Sequence, residues 1–453
     1  MSYADLTVGI YTLGCKVNQY ESEAIAERFA SEGFCVQTPT NVCDVYVINT
    51  CTVTAESDRK ARQFIRRAIH KNPNAYILVT GCFSQTQPDR AAQITGVDYI
   101  CGNADKLSVV DAAKKLIADG RKGSSAHLSV CPPDAYGFES MHITRFDRTR
   151  AYIKIEDGCE SRCTYCIIPD ARGRIRSKAP EDVLREVRDL TAGGCREIVL
   201  TGIETASYGR DLDGVTLADL LSEIDAIPNI GRIRLGSLDP SLIKQDFVDR
   251  IAPLKSLAPH FHLSMQSGSD RILALMKRKY NTRMAHEGME RLRRAIPDVQ
   301  FTTDMIVGFP QETEEDFLQS VEFAKRERFL MIHVFPYSRR AGTPAAVMAG
   351  QIPEAVKHER VAQLSDTASK IRAEILDGMI GKETEVLLET YADGIAYGHT
   401  PSFIEVACRL PDTTHEKMIP VTVESHDGTR CYGTVSDRRT EKGQVKSSCN
   451  QKE

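Results

Sequence analysis

The sequence predicts an α/β protein in three parts: an N-terminal doubly wound parallel-sheet domain, a central partial (βα)6 barrel of the TIM kind, and a small C-terminal all-β barrel. Three observations predict it. Apolar strand-like runs alternate with helical patterns over residues 1–120, as a parallel sheet covered by helices requires. The alternation resumes near residue 148 with a longer period and six repeats, which fits an incomplete barrel. From Gly381 helical periodicity stops, and short strand-like runs are broken by Asp-Gly and Pro.

Taken in order, 6–13, 44–49, 75–80 and 97–100 read as strands of the first part, with helices over 22–31, 54–70 and 104–119. Residues 120–141 lack periodicity and are rich in Gly, Ser and Pro, so they read as a linker. In the second part strands are expected at 152–155, 197–201, 232–236, 260–264, 301–307 and 331–335. The helices between them include 179–192, opened by Ala179-Pro180-Glu181-Asp182 with acids in the first turn, as well as 268–276 and 312–326. Such a barrel carries its chemistry at the carboxyl ends of its strands, and a second open sheet would bind its ligand at the same ends. In the third part strands are expected at 384–389, 395–400 and 403–408, and the polar tail beyond about 435 is expected to be disordered. The domain bounds are therefore 1–120, a linker at 121–143, 144–378, 379–440, and a tail at 441–453.

Composition narrows the class. The chain has 453 residues, 42% apolar and 26% charged, ordinary for a globular protein. No run approaches the ~20 apolar residues of a membrane span, so no membrane partner is expected. The opening MSYADLTVGIYTLGC has no basic region followed by a cleavage site, so a cytoplasmic location is expected. Fourteen cysteines in such a chain point to reduced thiols and metal ligation rather than disulfides. The net charge of −4 neither announces nor excludes nucleic acid.

Cys159, Cys163 and Cys166 lie within GCESRCTYCIIP. Three thiolates at this spacing can hold three irons of a 4Fe-4S cube and leave the fourth open for chemistry. A zinc knuckle would need a fourth ligand, and Ile167, Ile168 and Pro169 offer none. A second set is Cys15, Cys51 and Cys82, each closing an expected strand: IYTLGC, YVINTC and ILVTGC. In a parallel sheet those ends share one edge, and Gly14 and Gly81 permit a tight turn there. Geometry alone leaves a metal site and chance convergence equally open. Cys35, Cys43, Cys101, Cys195 and Cys408 read as small core fillers, while Cys131, Cys431 and Cys449 carry no pattern.

The two cysteine sets together resemble the methylthiotransferase family of radical S-adenosylmethionine (SAM) enzymes over nearly the whole chain. TLGCKVNQYESE and NTCTVTAESDRKARQFIRRA resemble the branch that acts on threonylcarbamoyladenosine in tRNA, and HFHLSMQSGSDRIL, DMIVGFPQETEEDF and VFPYSRRAGTPA also fit. Sister branches act on isopentenyladenosine in tRNA and on an aspartate of a ribosomal protein. Two residues depart from the pattern: Glu204 stands where His is expected, and Gln311 replaces a usual Gly.

The resemblance implies two 4Fe-4S clusters, on Cys159, Cys163 and Cys166 and on Cys15, Cys51 and Cys82. It further implies SAM as radical source and methyl donor, and insertion of a methylthio group at carbon 2 of the modified adenine, next to the anticodon. That carbon is inert to acid–base chemistry, so the cofactor must supply a radical. A tRNA substrate, an electron donor such as a flavodoxin or ferredoxin, and a monomer are expected, with a TRAM-like terminal barrel that grips RNA. SAM contacts are expected from Thr201, Gly202, Glu204, Ser264, Gln266 and Asp304, each of which could equally serve as a barrel-rim hydrogen bond. Arg59, Arg62 and Arg66 share one helix face beside Lys60 and Arg67, and Arg172, Arg174, Arg176 and Lys178 follow the cysteine loop. Charge runs are usually solvated faces, yet two of them beside two cysteine sets favour phosphate binding. Tyr391, Tyr397 and Phe403 are candidate stacking surfaces. A protein substrate and a non-catalytic zinc protein are the competing classes.

Overall fold

The computed structural model describes residues 3–120, 126–146, 148–410 and 417–436. Two compact units divide it, Met1–Ala368 and Ser369–Glu453.

The first unit opens with a six-stranded parallel sheet: β1 Thr7–Thr12, β2 Cys35–Gln37, β3 Val45–Thr50, β4 Tyr76–Gly81, β5 Tyr99–Cys101 and β6 His127–Ser129. Their order is β2-β1-β3-β4-β5-β6, so the winding reverses between β1 and β3. Helices cover both faces, which is why β3 (VYVINT) is buried at every position. Val45 and Val47 feed one core with Ile25 and Phe29 of helix α1 (Lys16–Ser31). Tyr46 and Ile48, one residue out of phase, feed the other with Ala61, Ile65 and Ala68 of α2 (Ala55–Lys71).

Sequence periodicity misses two of these strands. β2 and β6 are three residues long and sit at the two edges, held by backbone pairing to β1 and β5 rather than by an apolar face. β6 lies inside 121–143, the segment expected to be a linker, and α1 begins at Lys16 rather than at residue 22.

Six parallel strands follow in an open arc: Arg150–Lys154, Glu197–Thr201, a third strand in two pieces (Arg232–Leu235 and Ser237–Leu238), His260–Gln266, Gln300–Val307 and Met331–Pro336. The third strand changes partners at Gly236: its first piece pairs with the second strand and its second piece with the fourth. Capping boxes Thr216/Asp219 and Thr313/Asp316 start two of the outer helices.

The second unit holds a closed five-stranded barrel of Glu383–Ala392, Ile395–His399, Glu405–Arg409, Met418–His426 and Cys431–Val435. Val386, Val406, Val421 and Val423 fill it together with Cys431, a core residue that no sequence pattern marks. Tyr391 is exposed, while Tyr397 and Phe403 are half-buried, so none of the three is consumed by the core. The expected disordered tail and Cys449 lie outside the described residues.

Gly81 deserves a test of its own, because its φ of 101° is left-handed and an added Cβ would stand 2.4 Å from the Thr50 carbonyl oxygen. Gly81→Ala is expected to destabilise the first unit by about 3 kcal/mol or more. A thermal midpoint unchanged from wild type would contradict this.

Candidate active site

β1, β3 and β4 are adjacent in the sheet, so their carboxyl ends bring Cys15, Cys51 and Cys82 to one edge. The thiols are close enough that Cys82 raises the pKa of both others electrostatically, behind the larger effect of burial. Burial pushes the Cys51 thiol up to about 11. Cys15 is exposed to solvent, and the protein packed around it raises its thiol pKa. Gly14, with φ 109°, lets the chain pass Cys51: a Cβ there would meet the Cys51 Cβ at 2.8 Å.

Donors surround the third thiol. Arg172 Nε donates to Cys82 Sγ at 3.4 Å and Asn103 Nδ2 at 3.6 Å. Two N–H donors on the Cys82 sulfur fit a cluster whose sulfurs and thiolates carry negative charge. Among the described residues no three His, Cys, Asp or Glu side chains close on a single metal ion, so donor chemistry and topology support the assignment rather than coordination distances. Raised thiol pKa values mean that loading a cluster must release protons.

The CxxxCxxC loop leaves the carboxyl end of the first barrel strand. Gly158, at φ 92°, threads it past Arg174, whose carbonyl oxygen would lie 1.8 Å from an added Cβ. Backbone bonds from Cys159 N to Gly173 O (3.0 Å) and Cys166 N to Cys163 O (3.0 Å) fold the loop back on itself. Arg278 Nη1 donates to Cys163 Sγ at 3.1 Å. The Cys159 thiol donates to Glu204 Oε2 at 3.1 Å, and Ser161 Oγ donates to the same carboxylate. Burial pushes Cys166 up to about 12, and burial with the Glu204 charge drives Cys159 higher still.

Glu204, one of the two departures from the family pattern, therefore sits against Cys159, a candidate cluster ligand. Its negative charge opposes the more negative, reduced state of a cluster bound there. Glu204→Gln is expected to raise the reduction potential of a cluster bound there, read by EPR-monitored titration; an unchanged potential would contradict this.

A buried charge network joins the two cysteine sets. Glu21 of α1 accepts from Arg172 Nη1 (2.6 Å), from Lys154 Nζ of the first barrel strand (3.0 Å), and from Lys106. Arg172 also pairs with Asp157 at 3.1 Å and donates through Nη2 to Asn18 Oδ1 at 2.6 Å. Burial works against ionisation of Glu21 and Asp157, yet Arg172 leads the cations that hold both carboxyls below their usual range.

This corrects the expected RNA contacts. Arg172, Arg176 and Lys178 are buried: Arg172 in this network, Arg176 on the Pro133 carbonyl, and Lys178 on Glu186. Arg174 remains exposed, as do Arg59 and Arg66, while Arg62 is half-buried. The core-filler reading holds for Cys43, Cys101, Cys195 and Cys408 but not for Cys35, which is exposed at the sheet edge.

Of the expected SAM residues, Thr201 pairs with Lys154 and Asp304 with His333, while Ser264 falls in the register shift between Leu263 and Gln266. Gln266 follows a bulge at φ 63°, and Gly202 packs on Glu156, where a Cβ would meet a carboxylate oxygen at 2.5 Å. The sequence reading missed Asn103, Arg278 and Tyr280, whose roles depend on contacts far apart in the chain.

An open βα barrel with three cysteines in the loop after its first strand, beside a sheet that gathers three more, defines the class of radical SAM proteins with an N-terminal companion domain. The radical SAM superfamily model matches residues 153–324, and that of the uncharacterized protein family UPF0004 matches 7–102. A threonylcarbamoyladenosine tRNA methylthiotransferase of Bacillus subtilis is 39% identical over 92% of this chain and 93% of its own length. Its counterpart from Thermotoga maritima is 39% identical over 88% and 90%. A tRNA-2-methylthio-N(6)-dimethylallyladenosine synthase of Acetivibrio thermocellus is 36% identical over 83% and 79%. The chain belongs to the radical SAM methylthiotransferases, on the branch of the first two relatives. The radical SAM methyltransferase TsrM of Kitasatospora setae shares the fold, with a TM-score of 0.58 at 18% identity over 77% of each chain.

Proposed function

We propose that this enzyme inserts a methylthio group at carbon 2 of N6-threonylcarbamoyladenosine, next to the anticodon of tRNA, with two 4Fe-4S clusters. The observation that carries the reading is the pair of thiol triads joined through Arg172, which leaves the cysteine loop and reaches Cys82 of the other set. When bound, SAM and the cluster of Cys159, Cys163 and Cys166 supply the hydrogen-abstracting radical and the methyl group, and the cluster of Cys15, Cys51 and Cys82 supplies sulfur.

The protein's own part is to hold and to shield. Arg278 and Arg172 place N–H donors on one cysteine of each triad, which orients the thiolates and favours their charged form. The buried network fixes the spacing of the two triads, because each of its five charged groups would be costly without the others. Exposed Arg59, Arg66 and Arg174 are left for tRNA phosphates, and the terminal barrel offers Tyr391, Tyr397 and Phe403 for stacking. A one-electron donor such as a flavodoxin or ferredoxin completes the requirements.

Mass spectrometry of tRNA nucleosides from cells with and without the gene tests this. The methylthiolated threonylcarbamoyladenosine should vanish without it. Loss of methylthiolated isopentenyladenosine instead, or a lighter ribosomal protein, would move the substrate to a sister branch.

A further inference from the structure

The segment that leaves the sixth barrel strand touches the flanks of both cysteine sets. Arg340 donates through Nη1 to Asp58 and through Nη2 to Thr52, across 282 and 288 residues of chain. Thr52 directly follows Cys51, and its hydroxyl donates to Asp58 Oδ1 at 2.6 Å. Asp58 Oδ2 also accepts from Gln87 Nε2 at 2.7 Å, and Gln87 closes the short helix Cys82–Thr86. One carboxylate thus ties the chain beside Cys51 to the helix that begins at Cys82, and one guanidinium from the barrel holds that carboxylate. Arg340, Asp58 and Thr52 are all buried.

The same segment grips the cysteine loop. Thr343 donates to the Arg340 carbonyl through its N–H (3.1 Å) and its hydroxyl (2.7 Å), which folds residues 340–343 into a turn. Ala345 N then donates at 2.8 Å to the carbonyl of Thr164, between Cys163 and Cys166, and Gly342 lies beside Ile167, which follows Cys166. Ala345 is buried with Ile272, Met276, Phe309 and Tyr337, so the turn has a packed base. Arg172 joins the two sets at Cys82; this turn joins them at the chain next to Cys51, through a separate set of bonds.

Resting on the proposed function, we infer that Arg340 is a positioning residue for methylthio transfer: through Thr52 and Asp58 it holds the site of Cys15, Cys51 and Cys82 at a set distance and angle from the cysteine loop. A guanidinium fork fixes direction as well as distance, which an apolar contact at the same place would not. Transfer between two centres is sensitive to such placement, since a shift of about 1 Å can cost on the order of a hundredfold. Cleavage of SAM needs only the cysteine loop, and that loop is held by the backbone of Ala345 rather than by the Arg340 side chain. Loss of the tether should therefore spare SAM cleavage and uncouple it from product.

Anaerobically reconstituted wild type, Arg340→Gln, Arg340→Lys, Thr52→Val and Thr52→Ser are compared on a synthetic anticodon stem-loop carrying threonylcarbamoyladenosine. Iron per chain, 5′-deoxyadenosine released and methylthiolated nucleoside formed are measured. Thr52→Val breaks the tether but leaves the Arg340–Asp58 pair in place, so it carries the test if Arg340→Gln fails to fold. Both variants should keep about eight irons. Their release of 5′-deoxyadenosine should stay within about twofold of wild type, while product per 5′-deoxyadenosine falls by about tenfold to a hundredfold. Arg340→Lys keeps the charge without the fork and should recover part of that ratio, and Thr52→Ser should recover nearly all of it. A wild-type ratio in Thr52→Val and Arg340→Gln would overturn the inference. So would loss of iron or of 5′-deoxyadenosine in step with product, which would assign these bonds to the fold alone. If wild type itself binds only about four irons or leaves the stem-loop unmodified, the proposed function fails and the inference with it; if wild type is loaded and active and its variants match it, only the role of Arg340 fails.

Discussion

Cys82→Ala is expected to halve the iron of the anaerobically reconstituted protein, from about eight atoms per chain to about four, and to abolish methylthiolated product while SAM cleavage continues. The thiol is buried at the end of β4 and meets Arg172 and Asn103. Its loss removes one of the three proposed anchors. The fold should survive, because Arg172 keeps Glu21, Asp157 and Asn18 as partners. Cys101→Ala is the control. Cys101 also closes a strand of the same sheet and is just as buried, but it packs into the core with Val109 and Val110. That variant should keep all its iron. Retention of about eight irons by Cys82→Ala, or equal loss by Cys101→Ala, would contradict the assignment.

Arg172→Ala is expected to have the largest effect on stability, about 3–5 kcal/mol, because it strips a guanidinium from two buried carboxylates. Glu21 keeps Lys106 and Lys154, while Asp157 keeps Lys154 and a longer contact to Arg176 at 3.6 Å. The pH dependence has a definite sign. Both carboxyls are held below their usual range in the folded protein, so their contribution is complete above the unfolded value of about 4 and is lost as pH falls through the lower folded values. Removing Arg172 lets those folded values rise, so acid unfolding should begin at higher pH. Arg172→Lys keeps the charge but not the planar fork, and should recover part of the stability without the bond to Cys82. A variant as stable as wild type at pH 5 would show that the network is replaceable.

The six cysteines proposed as cluster ligands stand out in the sequence because each marks a local pattern: three share one loop, and three close apolar runs whose strand character needs no tertiary information. Adjacency of β1, β3 and β4 was not legible, since strand order is set by crossovers that the sequence does not spell out. Arg172 and Arg176 read as a phosphate-binding basic run because their partners, Glu21 and the Pro133 carbonyl, lie 151 and 43 residues away. β6 was hidden for a related reason: three exposed residues without alternation become a strand only when β5 supplies a backbone to pair with.

Continuous-wave EPR of the fully reduced, SAM-free protein tests the central claim most directly. Two reduced clusters facing one chamber should give a spectrum broadened by their mutual magnetic interaction, and Cys82→Ala should simplify it to a single isolated centre. A wild-type spectrum equal to the sum of two non-interacting centres, or the spectrum of one centre alone, would contradict it.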